Sequence, residues 1–467
     1  MRHVILVRAF TSAIVLLASI AFSPVHAQAQ KATLNDQQID NLVRRSYQYV
    51  AMYNVIHKLA LKFGGQWNVC EADTELKDHT LRVIARPNND TLYIACLVDV
   101  RQDPVIVDMP AFDSKYVSLM ITAYDHYVNI PMATSLGDFG KPEKMLIYSA
   151  RSEGYKKGTT VKGVDRYFEA TGDFVSVVFR VMPHANDQER FNRIVSQMQS
   201  VKLVTLSEFH DGKAKPINDI KFPPFGKTDA DVYGNNLLEV MQFVFNHTTF
   251  DPKDKLDQAI LAAYKPLGVV PGQEYDASRV ASIDSAQVRK AAEEIATAVL
   301  ASANTPEFLK KLPSIFQPKG KMTLDVLLDQ SVVGPIGQPL SQAFYSPVQS
   351  ADGKPMNALH DYVIRMTKNQ LPPAKAFWSV TLYDTKNGFF IPNERKKYSV
   401  GENAGMKLNK NGGIEIYIAA DKPKDVPEEN WLPIERKDEA IDAMLRLYIP
   451  DVEKMKTWQA PKAEMLK

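Results

Sequence analysis

Between residues 35 and 63 apolar side chains recur every three or four positions: Ile39, Leu42, Val43, Val50, Ile56, Leu59, Ala60 and Phe63. That spacing gathers them on one face of a helix. Asn35 and Gln38 have capping-box spacing at its start, and Gly64-Gly65 closes it. From about Thr80 the pattern shortens to runs rich in Val, Ile, Thr and Tyr: "TLRVIA", "TLYIACLVDV", "PVIVDMP", "YVSLMITAYDHYVNI", "KMLIYS" and "FVSVVFRVM". Pro, Asn, Asp and Gly punctuate them, which predicts strands. A helix is predicted at about 187–202, with Asn186 and Glu189 at capping-box spacing. Residues 229–303 are predicted mostly helical, through "NNLLEVMQFVFNH" and "SAQVRKAAEEIATAVLAS", the latter opened by Asp284 with Gln287. Residues 304–345 are rich in Pro and Gly and predict no clear element. Strands return from about 355 in "HDYVIRMT", "AFWSVTLYD", "GIEIYIAA" and "AMLRLYIP", with turn signals at Asn387-Gly388 and Asn411-Gly412.

Closely spaced strands without helices between them predict antiparallel sheets. The expected class is α+β and β-dominated, with two similar antiparallel β-sandwich, jelly-roll-like domains joined by a mainly helical segment.

The first 30 residues follow a different rule. Arg2 and Arg8 precede an apolar run from Ala9 to Phe22, then Pro24 and the small-residue site Val25-His26-Ala27. This is the layout of a cleaved secretory signal peptide, too short in its apolar part for a full span. Export to the periplasm or the outside is therefore expected, with no membrane span after cleavage near Ala27. The chain carries 56 basic and 54 acidic residues. Losing residues 1–27 removes two arginines and no acid, so the remainder is balanced at 54 of each. A balanced chain without basic clusters has no general pull on nucleic acid. Cys70 and Cys96, the two cysteines, can bridge in an oxidising compartment or lie buried as free thiols.

"RPNNDTLY" (86–93), "VDVRQDPVIVDMP" and "YVSLMITAYDHYVNI" together resemble the domain of unknown function 1254. "SADGKPMNALHDYVIRM", "AFWSVTLYDTKNGFF", "NWLP" and "LRLYIP" resemble its companion, the domain of unknown function 1214. The resemblance implies a two-domain, often exported bacterial protein with β-sandwich-like domains, and it implies no activity. The resulting division is a signal peptide at 1–27, an N-terminal helix plus β-domain at 28–225, a helical connection at 226–340 and a C-terminal β-domain at 341–467.

Standard catalytic patterns are missing. There is no Gly-x-Ser-x-Gly elbow, no His-Glu-x-x-His, and no histidine pair at metal-ligand spacing, so neither a metal nor a cofactor is expected. Two polar clusters remain. In "RPNNDTLY", Arg86, Asn88, Asp90 and Tyr93 can line a pocket for a polar ligand. The same residues can instead make an ordinary turn, with Arg86 paired to Asp90. In "AYDHYVN", Tyr124 and His126 share one face if the segment is extended, while Asp125 lies on the other. The functional expectation is binding of a small polar or sugar-like molecule. The alternative is a hydrolase or lyase with Asp90 or His126 as base, and a third reading is a homo-oligomeric scaffold built on the helical middle.

Overall fold

The structure is a computed structural model that describes residues 33–82, 85–303 and 305–466. The expected signal peptide lies outside the described residues. Among those residues no helix is long and apolar enough to cross a membrane.

Helix α1 (Asp36–Lys62) opens with the expected capping box: Asn35 accepts from the Gln38 N–H and the Gln38 side chain accepts from the Asn35 N–H, both at 2.9 Å. Helix α2 (Gln188–Gln199) is capped by Asp187 rather than Asn186, through the Arg190 N–H. A short α3 (Leu206–Asp211) follows. The middle of the chain supplies α4 (Asp229–Asn235), α5 (Leu237–Asn246), α6 (Lys255–Tyr264) and α7 (Ser285–Ser302). The stretch with no predicted element folds as α8 (Pro306–Lys311) and α9 (Leu324–Val333). Helix α1 shares one apolar core with α4, α5, α6, α7 and α9, so the middle helices are a layer built around α1, not only a connection. A last short helix, α10, spans Val452–Met455.

The strands form two units. The first contains β1 (Val69–Asp73), β2 (Leu92–Asp99), β3 (Val105–Met109), β4 (Val117–Thr122), β5 (Asn129–Ala133), β6 (Glu143–Ser149), β7 (Arg166–Ala170), β8 (Phe174–Val181) and β9 (Lys202–Thr205). The second contains β10 (Ala343–Val348), β11 (Met356–Asn357), β12 (Tyr362–Met366), β13 (Ala374–Asp384), β14 (Ser399–Gly401), β15 (Ile414–Ala419), β16 (Trp431–Pro433), β17 (Ala440–Pro450) and β18 (Ala463–Met465). In the first unit the sheets run β1-β2-β8-β4-β5 and β7-β6-β3-β9; in the second, β10-β17-β13-β14 and β16-β15-β12-β18. Within each unit the two sheets bury their apolar faces in one core.

These orders are the same order written twice. Strands β2 to β9 correspond in sequence to β10 and β12 to β18, and every neighbour relation is kept. So is direction: β6–β7 and β15–β16 are both parallel, and all other pairs are antiparallel. The second unit is a topological repeat of the first, with β1 and β11 as additions. The sequence predicted two similar domains but not the parallel pairs, and the strand order is not that of a jelly roll.

Two predicted strands differ. Thr80 to Arg82 and Ala85 are irregular, and Val83 and Ile84 lie outside the described residues, so "TLRVIA" contributes no described strand. "YVSLMITAYDHYVNI" is β4 and β5 separated by a turn at 123–128, where His126 takes a left-handed backbone with φ 61°. The expected alternation of Tyr124, Asp125 and His126 therefore does not apply. Cys70 and Cys96 sit directly opposite each other on β1 and β2 and are joined in a disulfide.

Candidate functional site

The repeat places one arginine on an inner strand of each unit. Arg180 of β8 has Tyr93 of β2 across it on one side and Ser118 of β4 on the other. Arg446 of β17 has Tyr345 of β10 on one side and Ser379 of β13 on the other. Cross-strand neighbours project from the same sheet face. Each unit thus carries a Tyr-Arg-Ser row on the face turned away from its own core. The two faces meet, and an aromatic cluster of Tyr116, Phe377 and Tyr448 joins them, with the rings of Phe377 and Tyr448 stacked 4.1 Å apart.

Each row is capped by a loop from the other unit. The loop before β2, "RPNND", crosses to the second unit. The Arg86 carbonyl accepts from Arg446 Nη2 at 3.1 Å, the Pro87 carbonyl from the Tyr383 hydroxyl at 2.7 Å, and Asp90 Oδ2 from Ser379 Oγ at 2.5 Å and Tyr448 OH at 3.1 Å. Asn88 accepts from the Asp90 N–H and donates to Tyr448 OH. The loop before β10 crosses the opposite way. The Ile336 carbonyl accepts from Arg180 Nη2 at 3.1 Å, and Gln338 donates to Ser118 Oγ at 2.6 Å while accepting from Tyr116 OH at 2.5 Å. Arg180 Nη1 also donates to Tyr345 OH at 3.2 Å. The arrangement is reciprocal, as in an isologous dimer, but within one chain.

A cavity of about 380 Å³ opens at this junction, lined by Asn88, Tyr93, Arg180, Tyr345 and Arg446. Arg180 and Arg446 are 6% and 4% exposed. Arginine stays charged under any ordinary condition, and a buried charge demands partners. Yet Arg180 Nε and Arg446 Nη1 have no hydrogen-bond partner among the described residues, and neither guanidinium is in an ion pair there. The Arg180 guanidinium lies 5.6 Å from the Tyr93 ring, and that of Arg446 lies 5.4 Å from the Tyr345 ring. At the rim, Arg86 pairs with Asp442 and Lys77 with Asp73, each at 2.5 Å. Burial pushes the Asp90 carboxyl above the ordinary range, against the pull of Arg446, Ser379 and Tyr448.

Of the residues the sequence singled out, Arg86, Asn88 and Tyr93 line this cavity and Asp90 lies behind it. The alternative in which Arg86 pairs with Asp90 is corrected: Arg86 turns outward to Asp442, and Asp90 turns inward to Ser379. Tyr124 is elsewhere, bonded to His57 in the aromatic part of the helical core. His126 is fully buried, with Nε2 against the Pro335 carbonyl and Nδ1 against Ser331 Oγ, both at 2.7 Å. Because a carbonyl only accepts, Nε2 carries a proton, while Ser331 Oγ also donates to the Leu327 carbonyl at 2.6 Å. Burial pulls this histidine down to about 4. The three groups of the hydrolase reading, Arg86, Asp90 and His126, thus engage separate partners. Sequence reading missed Arg180, Arg446 and Gln338. The available signal was a lone arginine inside each of two apolar strands, "FVSVVFRVM" and "AMLRLYIP".

A family model described as a protein of unknown function, DUF1254, matches residues 68–203, and a second, DUF1214, matches residues 342–452. No curated protein matches the chain. Among solved structures, the VPA0106 protein from Vibrio parahaemolyticus is similar, with 21% identity and a TM-score of 0.72 over 92% of this chain and 99% of that one. At that identity the likeness shows the fold alone. A putative uncharacterized protein from Burkholderia cenocepacia aligns at 13% identity and a TM-score of 0.42, over 92% of this chain and 96% of that one.

Proposed function

The chain belongs to the family that joins DUF1254 to DUF1214, and from that premise we propose that it binds a small organic anion in the cavity between its two strand units. The observation that carries this reading is the pair of buried guanidiniums, Arg180 and Arg446, both lining the cavity and each with one nitrogen unpartnered among the described residues. Unpaired buried cations are costly, and a bound carboxylate or similar oxyanion would offset that cost with charge-assisted hydrogen bonds. A volume near 380 Å³ is at the small end for ligand cavities, so the anion is a small molecule. Its walls come from both units, so binding would also tie them together. The signal-like N-terminus and the Cys70–Cys96 bridge support an exported protein that meets its ligand outside the cytoplasm.

Titration calorimetry and thermal unfolding with acetate, benzoate, phosphate and a neutral sugar test the reading. Saturating ligand at about a hundred times its Kd should add about 2.7 kcal/mol of stability. Arg180→Met should abolish the response. A stability curve unmoved by every anion, or moved equally in the variant, would overturn the proposal.

A further inference from the structure

The two reciprocal caps differ in charge. The loop capping the second unit carries a carboxylate, Asp90, which takes the hydroxyl of Ser379. The loop capping the first unit carries an amide in the corresponding place, Gln338, bonded to the matching Ser118. Arg446 therefore has a buried carboxylate in its own layer, and Arg180 has none. Two guanidiniums against one carboxylate leave a single positive charge uncompensated, on the Arg180 side. The unpartnered nitrogen there is Nε, itself buried, and other parts of Arg180 line the cavity. Around it the cavity presents apolar surface: Leu81, Pro87, Met444 and the rings of Tyr93 and Tyr345.

Resting on the anion-binding reading, the geometry points to a monocarboxylate with an apolar body, its carboxylate against the cavity-lining Arg180 guanidinium and its body against the two tyrosines. The ligand supplies to the first unit the charge that Asp90 supplies to the second. A dicarboxylate or inorganic phosphate would bring more negative charge than the site lacks and would leave the apolar wall uncovered. A neutral analogue would leave Arg180 unpaired.

The experiment compares benzoate, terephthalate, phosphate and benzamide by calorimetry on the full chain, in the wild type and in two variants. Benzoate should bind at least tenfold more tightly than the other three. Gln338→Glu places the missing carboxylate in the protein itself, and benzoate affinity should fall at least tenfold while the unliganded midpoint rises. Arg180→Lys keeps the charge but removes the planar guanidinium fork, and should also lose at least tenfold; it decides the matter if the glutamate variant does not fold. Tighter binding of phosphate or terephthalate, or unchanged benzoate affinity in Arg180→Lys, overturns this inference and leaves anion binding standing. No binding of any anion to the wild type overturns both.

Discussion

The two strand units share one topology and one Tyr-Arg-Ser row, yet they treat charge differently. In the second unit the arginine of the row has a carboxylate nearby, although Arg446 Nη1 is itself unpartnered among the described residues. Arg446 has Asp90 in its layer, and Asp384, at the end of β13, accepts the N–H groups of Asn387 and Phe389. In the first unit the arginine of the row has none. Arg180 faces the neutral Gln338, and Asp125, in the Tyr-Asp pair that follows β4, is fully buried with neither oxygen hydrogen-bonded among the described residues. Repetition of a fold fixes where a side chain sits; it does not fix whether its partner is supplied. Under the proposed anion binding, the row without a carboxylate is the one to which a ligand would add a charge.

The largest expected effect concerns a brace present only in the first unit. The Cys70–Cys96 bridge spans 26 positions, and loop-closure entropy assigns it about 3.5 kcal/mol. Urea unfolding of the Cys70→Ser/Cys96→Ser double variant should show a loss of that order. A loss below about 1 kcal/mol would mean the first unit does not depend on it.

Next comes the charge difference between the caps. Asp90→Ala strips Arg446 of its nearby carboxylate and should cost about 3 kcal/mol. Gln338→Ala removes neutral hydrogen bonds only, for about 1–2 kcal/mol. Equal costs in denaturant titrations would erase the distinction between the two units.

A pH experiment addresses the turn after β4. Burial raises Asp125 to about 6, against the pull of Lys319, so the fold favours its protonated form. Its stabilising effect is complete below the unfolded value near 4 and fades as pH rises towards 6. Neighbouring His126, lowered by burial to about 4, acts oppositely: its contribution is complete above about 6.5 and fades as pH falls. Removing the carboxyl in Asp125→Asn should therefore leave a stability that rises with pH between 4 and 6 more steeply than in the wild type, by up to about 1.4 kcal/mol per pH unit. Parallel curves would show that Asp125 is not held protonated.

The smallest effect is at the edge of the junction. Lys115 and Glu402 join the units through an ion pair with side chains 51% and 31% exposed. Lys115→Ala should change stability by less than about 0.5 kcal/mol. A larger change would place the grip between units at the rim rather than in the buried layer.

Local signals were the ones legible in the sequence. The capping box of α1 rests on residues three apart, and "RPNNDTLY" drew attention through its own composition. Its sequence admits a turn or a pocket edge, and it is both: Asn88 turns the backbone onto Asp90, and the loop then crosses to the other unit and lines the cavity. What the loop meets could not be read, because Asn88 and Tyr448 are 360 positions apart. Arg180 and Arg446 were overlooked for a related reason. Each interrupts an apolar strand singly, and the feature that makes them a site, their meeting across two sheets, has no local signature. Tyr124 and His126 stand out in sequence for the polar density of their own stretch, but the turn there, with a left-handed backbone at His126, engages them with His57 and Ser331 of the helices instead.

The reciprocal caps also set a timetable for synthesis. The first unit can pair all its strands once β9 has been made, but the carbonyl that accepts from Arg180 belongs to Ile336, 156 positions after the arginine. At ordinary rates of translation that is a delay of roughly 10–30 s. A first unit that folded within that interval would hold a nearly finished sheet with a charged, incompletely covered face. A chaperone would find its opening in that interval.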